Sequence, residues 1–154
     1  MSHPSVNAHK KKISRSVKNL DFKLEAGMSA QIEKIVTESD TAVSFGSGGV
    51  RVFATPMMVA LMENAALKAV DPKLGEGFAT VGLSLNVRHI AATPVGMKVY
   101  AKAELLNIEG RKLSFRVEAY DEQEIIGEGT HERYIIELSK FLEKTSKKTI
   151  KKNP

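Results

Sequence analysis

Three side chains in this sequence are suited to moving a proton or steadying a negative oxygen, and the surrounding pattern makes each conspicuous: Thr55, Glu63 and His89. From Met57 to Val70 only Glu63, Asn64 and Lys68 interrupt an apolar run. The helical neighbours of Glu63, three and four residues either way, are Val59, Ala60, Ala66 and Leu67, all apolar. A carboxylate inside such a stripe is costly unless it finds a partner. His89 continues the alternation of Val81, Leu83, Leu85 and Val87, so a regular strand would point it at that helix. A Glu63–His89 pair would be a general base or water-positioning unit, and equally a buried structural ion pair. Thr55 precedes Pro56 at the helix start, where an N-cap followed by proline at the first helical position is favoured. Capping is the simpler role for it. A helix N-terminus also favours negative charge and suits an oxyanion or a polarised carbonyl.

Geometry limits how these groups can cooperate. Eight residues of helix rise about 12 Å, so Thr55 and Glu63 of one chain cannot touch. A single reaction centre using both is either elongated or assembled from two subunits. Gly82 interrupts its strand and marks a bulge or a backbone that a ligand approaches. His131 and Arg133 share one face of the last strand with Glu132 on the other, and a solvated strand end with a salt bridge accounts for them. No metal site is expected: of the four histidines only His89 and His131 lie in the folded body, and neither has a ligand at a paired spacing.

The elements that must position these residues are legible from hydrophobic period. A strand is expected over Ser29–Val36 and a short β-prone run over Thr41–Phe45. The glycine-rich turn Gly46-Ser47-Gly48-Gly49 then leads to the helix, and it lacks the Lys-Ser/Thr pair of a phosphate loop. Alternating strands follow over Thr80–Ile90, Met97–Ile108, Lys112–Tyr120 and Ile125–Leu138. Ser139–Lys147 suits a short basic helix. One nearly all-apolar helix followed by consecutive half-apolar strands predicts an α+β fold, a long central helix wrapped by a curved antiparallel sheet of five to six strands. One helix covers such a sheet incompletely, so at least a dimer is expected.

Composition excludes several classes. With 42% apolar and 27% charged residues the chain reads as one ordinary globular domain. Cysteine is absent, which removes disulfides, thiolate nucleophiles and thiolate metal sites and fits a cytoplasmic setting. The net charge of +5 gathers at the ends, Lys10, Lys11, Lys12, Arg15 and Lys18 at one and Lys140, Lys144, Lys147, Lys148, Lys151 and Lys152 at the other. These predict a basic arm over residues 1–18, a domain over 19–145 and a basic tail over 146–154. Nucleic acid is not the expected partner, because the basic ends lack interleaved aromatics. The apolar helix is too short and too interrupted to span a bilayer, which takes about 20 apolar residues, and no membrane partner is expected.

Four stretches together resemble one family. They are Val52-Phe53-Ala54-Thr55-Pro56-Met57-Met58-Val59-Ala60-Leu61-Met62-Glu63-Asn64-Ala65, Val87-Arg88-His89-Ile90-Ala91-Ala92-Thr93-Pro94-Val95-Gly96, Glu109-Gly110-Arg111-Lys112-Leu113-Ser114 and Gly129-Thr130-His131-Glu132-Arg133. In this order and spacing, over about residues 20–145, the chain resembles hotdog-fold acyl-CoA thioesterases, and most of all their fluoroacetyl-CoA branch. The resemblance implies a hotdog fold, a homodimer or a pair of dimers, and an active site near the subunit interface. It implies catalytic roles for Thr55, Glu63 and His89, an acyl-pocket glycine at Gly82 and a substrate-side arginine at Arg133. It implies hydrolysis of a short- or medium-chain acyl-CoA, with no cofactor because coenzyme A is part of the substrate. The branch carries phenylalanines in a lid before the helix; here Phe45 alone stands ahead of the glycines, which counts against a fluorinated substrate. The alternatives are a non-catalytic acyl-CoA-binding module and a hydroxyacyl-CoA dehydratase of the same fold.

Overall fold

The structure, a computed structural model, describes residues 22–150; the basic arm expected over 1–18 lies outside them. The elements are β1 (Ser29–Ile35), a 3-10 turn (Glu38–Asp40), α1 (Ala42–Phe45) and α2 (Thr55–Val70). A second 3-10 turn (Asp71–Lys73) leads to β2 (Phe78–His89), β3 (Lys98–Glu109), β4 (Lys112–Asp121), β5 (Ile125–Glu137) and α3 (Leu138–Ile150). The strands form one antiparallel sheet in the order β1-β3-β4-β5-β2, with α2 against one face. This is the helix-and-sheet arrangement that the hydrophobic period predicts and the hotdog fold that the resemblance implies.

The core follows from the two periodicities. Met58, Leu61, Met62, Ala65, Ala66 and Val70 form the buried face of α2. They meet alternate residues of β3 (Val99, Ala101, Ala103, Leu105) and β4 (Leu113, Phe115, Val117, Ala119), all buried. Alanines on both sides let helix and sheet approach closely, and each large side chain fully buried contributes about 1.5–3 kcal/mol. The helix is not covered all round, as its composition had suggested. It packs chiefly on β1 and β3 and lightly on β2, leaving Ala60 exposed and Val59, Glu63, Asn64 and Leu67 half-buried.

Three expectations are corrected. Thr41–Phe45 is not β-structure: the Thr41 hydroxyl accepts from the Ser44 N–H at 3.2 Å and caps α1, and only Thr41 itself makes a bridge, to Phe53. The alternation of β2 is also broken. Gly82 pairs with Arg133 and Ser84 with Glu132, so Leu83 is an extra residue in a bulge. One inserted residue flips every later side chain to the other face. Thr80 and Gly82 therefore face the helix before the bulge, Leu85, Val87 and His89 face it afterwards, and Val81 faces out beside Tyr134. At the other end, residues 146–150, assigned by composition to the tail, continue α3.

Candidate active site

The N-terminus of α2 closes without help from Thr55. Ala54 is the N-cap, and its carbonyl accepts from the N–H groups of Met57 and Met58, both at 3.0 Å. Thr55 is thus the first helical residue and not the cap, which leaves its hydroxyl available. That hydroxyl lies 2.8 Å from His89 Nδ1, brought there because the bulge turns the end of β2 inward. Pro56 has no N–H and the Ala54 N–H is bound to the Asp40 carbonyl, so the Thr55 N–H is the first-turn donor left without a partner among the described residues.

His89 is half-buried, with the Phe53 ring edge-on at 6.5 Å. Burial pushes its pKa below the ordinary 6.5, while the Ala91 backbone pulls weakly the other way, so the ring is neutral near pH 7. Its Nε2 is buried and has no hydrogen-bond partner among the described residues. A cleft of about 320 Å³ opens at the pair, walled by Ala42, Val52, Phe53 and Ile90, with Ser47 at its rim. The exposed apolar side chains of Val43, Phe45 and Val50 flank the segment that borders it.

Glu63 is not the partner of His89 in this chain. Its Oε2 instead lies under Gly82, 2.8 Å from where a Cβ would stand, with Arg133 Nη1 and His131 Cε1 converging on the same point at 3.7 and 3.8 Å. A Cβ at Gly82 would make the Glu63 carboxylate shift from this position. Among the described residues Glu63 forms no salt bridge. Behind it stands a bonded network. Arg133 Nε donates to Thr80 Oγ1 at 2.7 Å and Nη2 to the Thr80 carbonyl at 3.0 Å, while the Thr80 hydroxyl donates to Asp71 Oδ1 at 2.6 Å.

His131 and Arg133 are therefore buried side chains facing α2, not a solvated strand end. The parity of β5 carried the signal, since Ile135, two residues further, shares their face and is core. Asp71 and Thr80 had no such signal, because a turn residue and a strand residue meet only in three dimensions. The structure brings Thr55 to His89 and Glu63 to Gly82, Arg133 and His131, and keeps the two groups apart. Another cavity, about 430 Å³, lies on the outer sheet face among Arg88, Arg116, Glu118 and Glu128, away from both. Arg88 and Arg116 are ion-paired there, with Glu128 and Glu104. Among the described residues no cluster of three His, Asp or Glu side chains is placed to hold a metal, and no helix is long and apolar enough to cross a membrane.

Comparison with known proteins bears on this geometry. The model of the fluoroacetyl-CoA-specific thioesterase (FlK) family matches residues 36–139. A fluoroacetyl-CoA thioesterase of Streptantibioticus cattleyicolor is 50% identical over 98 residues, 64% of this chain and 70% of that protein. A solved structure of the fluoroacetyl-CoA thioesterase FlK superposes with a TM-score of 0.77 at 39% identity, covering 81% of this chain and 97% of that one. A Thermus thermophilus protein described as a thioesterase superfamily member superposes with a TM-score of 0.76 at 33% identity, covering 82% and 94%.

Proposed function

The chain belongs to the fluoroacetyl-CoA-specific thioesterase family and is an acyl-CoA thioester hydrolase; from that premise we propose that a short- or medium-chain acyl-CoA is cleaved at a site shared by two subunits. The observation that carries the reading is the Thr55–His89 contact at 2.8 Å, with the hydroxyl released from capping and the far ring nitrogen without a partner among the described residues.

Homodimerisation through β2 would complete that site. β2 is a sheet edge, Leu83 and Leu85 on it are exposed, and the neighbouring face of α2 is uncovered. Two β2 edges pairing antiparallel about a twofold near Leu85 and Asn86 set Gly82 of one chain opposite the His89 end of the other. Glu63 lies under Gly82, so the partner's Glu63 would approach the unpartnered His89 Nε2. Threonine, imidazole and carboxylate then form a nucleophile–base–orienter chain. Thr55 Oγ attacks the thioester carbonyl and its proton passes to His89 Nδ1. The carbonyl oxygen takes up charge near the free Thr55 N–H. The C–S bond breaks, the proton moves to the coenzyme A sulfur, and water releases the acid from Thr55 by the reverse proton path. Arg133 and Gly82 would border the acyl end beside Glu63. No cofactor beyond the coenzyme A of the substrate takes part, and the setting is the cytoplasm, as the lack of cysteine suggests.

The test is a panel of acyl-CoA substrates, followed by mixing two inactive variants. Thr55→Ala subunits retain Glu63 and Glu63→Gln subunits retain Thr55, so each mixed dimer rebuilds one intact site. Random exchange predicts recovery of about one quarter of wild-type activity. No turnover of any thioester would leave a binding module as the function, an enoyl product would make it a dehydratase, and no recovery on mixing would place the site within one chain.

A further inference from the structure

We infer that His131 is a positioning residue for this reaction, an imidazole locked in one neutral tautomer that fixes both the Arg133 guanidinium at Glu63 and the bulge that aims β2. His131 is 1% exposed, beneath the Phe115 ring. Its Nδ1 lies 2.8 Å from the Ser84 carbonyl, which can only accept, so Nδ1 carries the proton. Nε2 is then a bare lone pair, and Arg133 Nη1 donates to it at 3.2 Å. The other two guanidinium nitrogens are held by Thr80, so the His131 bond is what fixes Nη1, the nitrogen nearest the Gly82–Glu63 opening.

The Ser84 contact matters as much. Ser84 follows the extra residue Leu83, and the bulge is what turns both Gly82 and His89 toward the helix. One side chain therefore braces the carboxylate end of the site and the register that delivers His89 to Thr55. Protonating Nε2 would set a donor against a donor and a cation against a cation, releasing Arg133. Burial drives the His131 pKa down, the Ser84 bond opposes it, the Arg133 charge adds to it, and Glu63 on α2 and Glu132 on its own strand oppose it. At neutral pH the lock is closed.

The inference rests on the thioesterase reading, and the experiment separates the two. His131→Gln can still accept from Arg133 but does not titrate; His131→Leu can do neither. Both are checked for fold by circular dichroism. His131→Leu is expected to lose about 10²-fold in kcat with little change in KM, the scale of a misplaced reacting group, and His131→Gln to recover most of it. On the acid side the log kcat/KM profile of His131→Gln should fall with one proton fewer than that of the wild type. Equal slopes together with unimpaired His131→Leu turnover would overturn the inference while leaving thioester hydrolysis standing. If the wild type hydrolyses no thioester, the functional reading fails and nitrogen-15 NMR still decides the lock. A single Nδ1-protonated tautomer, with a pKa that rises in Arg133→Met, supports it, and an Nε2-protonated ring overturns it.

Discussion

The two ends of β2 are built on opposite terms. At the His89 end the polar atoms are under-engaged: Nε2 has no partner among the described residues, the Thr55 hydroxyl is released from capping, and an open cleft adjoins them. At the Gly82 end the polar atoms of Asp71, Thr80, Arg133 and His131 are joined in one hydrogen-bonded chain, and Glu63, at its margin, makes no salt bridge among the described residues. Buried polar groups without partners cost free energy, so a fold keeps them only where something else supplies the bond. The unsatisfied end is where chemistry and a second subunit are expected. The satisfied end is scaffold, with one carboxylate presented from it.

The comparison breaks first at Thr55. Thr55→Ala should reduce kcat by about 10³-fold or more, as loss of a nucleophile does, with the melting temperature essentially unchanged because the side chain caps nothing. Thr55→Ser should retain most activity. Steady-state hydrolysis and calorimetry on the same samples check this. A melting loss with modest kinetic change would make Thr55 a structural residue after all.

Gly82→Ala tests the other end. The added Cβ would stand 2.8 Å from Glu63 Oε2, so the carboxylate must move, and about a 10²-fold loss of kcat is expected from that displacement. The Thr55–His89 contact lies beyond the bulge and should survive, whereas the His89 Nε2 resonance should shift, because the proposed dimer brings the partner's Glu63 to that nitrogen. An unmoved Nε2 resonance would count against a site shared by two subunits.

Arg133→Met should act on stability before chemistry. It removes the guanidinium that ties Thr80 to His131 and leaves Thr80 Oγ1 and His131 Nε2 short of a donor. Breaking a buried charged network in this way costs about 3 kcal/mol, measurable as a lower urea midpoint at constant slope. If stability is unchanged and only KM rises, Arg133 is a substrate contact and not part of the scaffold.

How much of this was legible beforehand divides along the same line. Hydrophobic period located α2 and the strands, because a half-buried face imposes its repeat on the sequence. It also singled out Glu63 and His89, since each breaks or extends an apolar pattern. It pairs them without saying that the two stand apart within one chain. Gly82 marks a bulge or a ligand approach without deciding between them, and the alternation stays apolar at odd positions throughout, so His89 is given the correct face while Gly82 is placed opposite. Thr55 was read as a cap because Thr-Pro is a strong start signal; Ala54 serves instead, its carbonyl closing the turn. Arg133 is singled out only through the family resemblance; read from the residues alone, His131 and Arg133 fall at a solvated strand end because ionisable groups on a strand usually face water, although Ile135 marks their face as core.

The smallest effect concerns the two histidines together. Both have pKa values pushed below the ordinary 6.5, by burial first in each case. The unfolded chain therefore binds more protons than the folded one as pH drops below about 6.5. Linkage then requires stability to be full above that value and to fall as pH descends through the folded-state values. The carboxyl groups of Asp40 and Asp121, whose pKa values are lowered from 3.8, contribute their losses only at more acid pH, so the upper part of the acid transition belongs to the imidazoles. A drop in melting temperature of about 2–4 °C between pH 7 and pH 5 is expected for the wild type, the scale of about 1 kcal/mol in a domain of this size. His131→Gln should flatten that slope more than His89→Gln, because His131 is buried to 1% exposure and His89 only half-buried. Equal flattening would mean that a second subunit buries His89 as deeply as the scaffold buries His131, which is what a site closed by the partner chain requires.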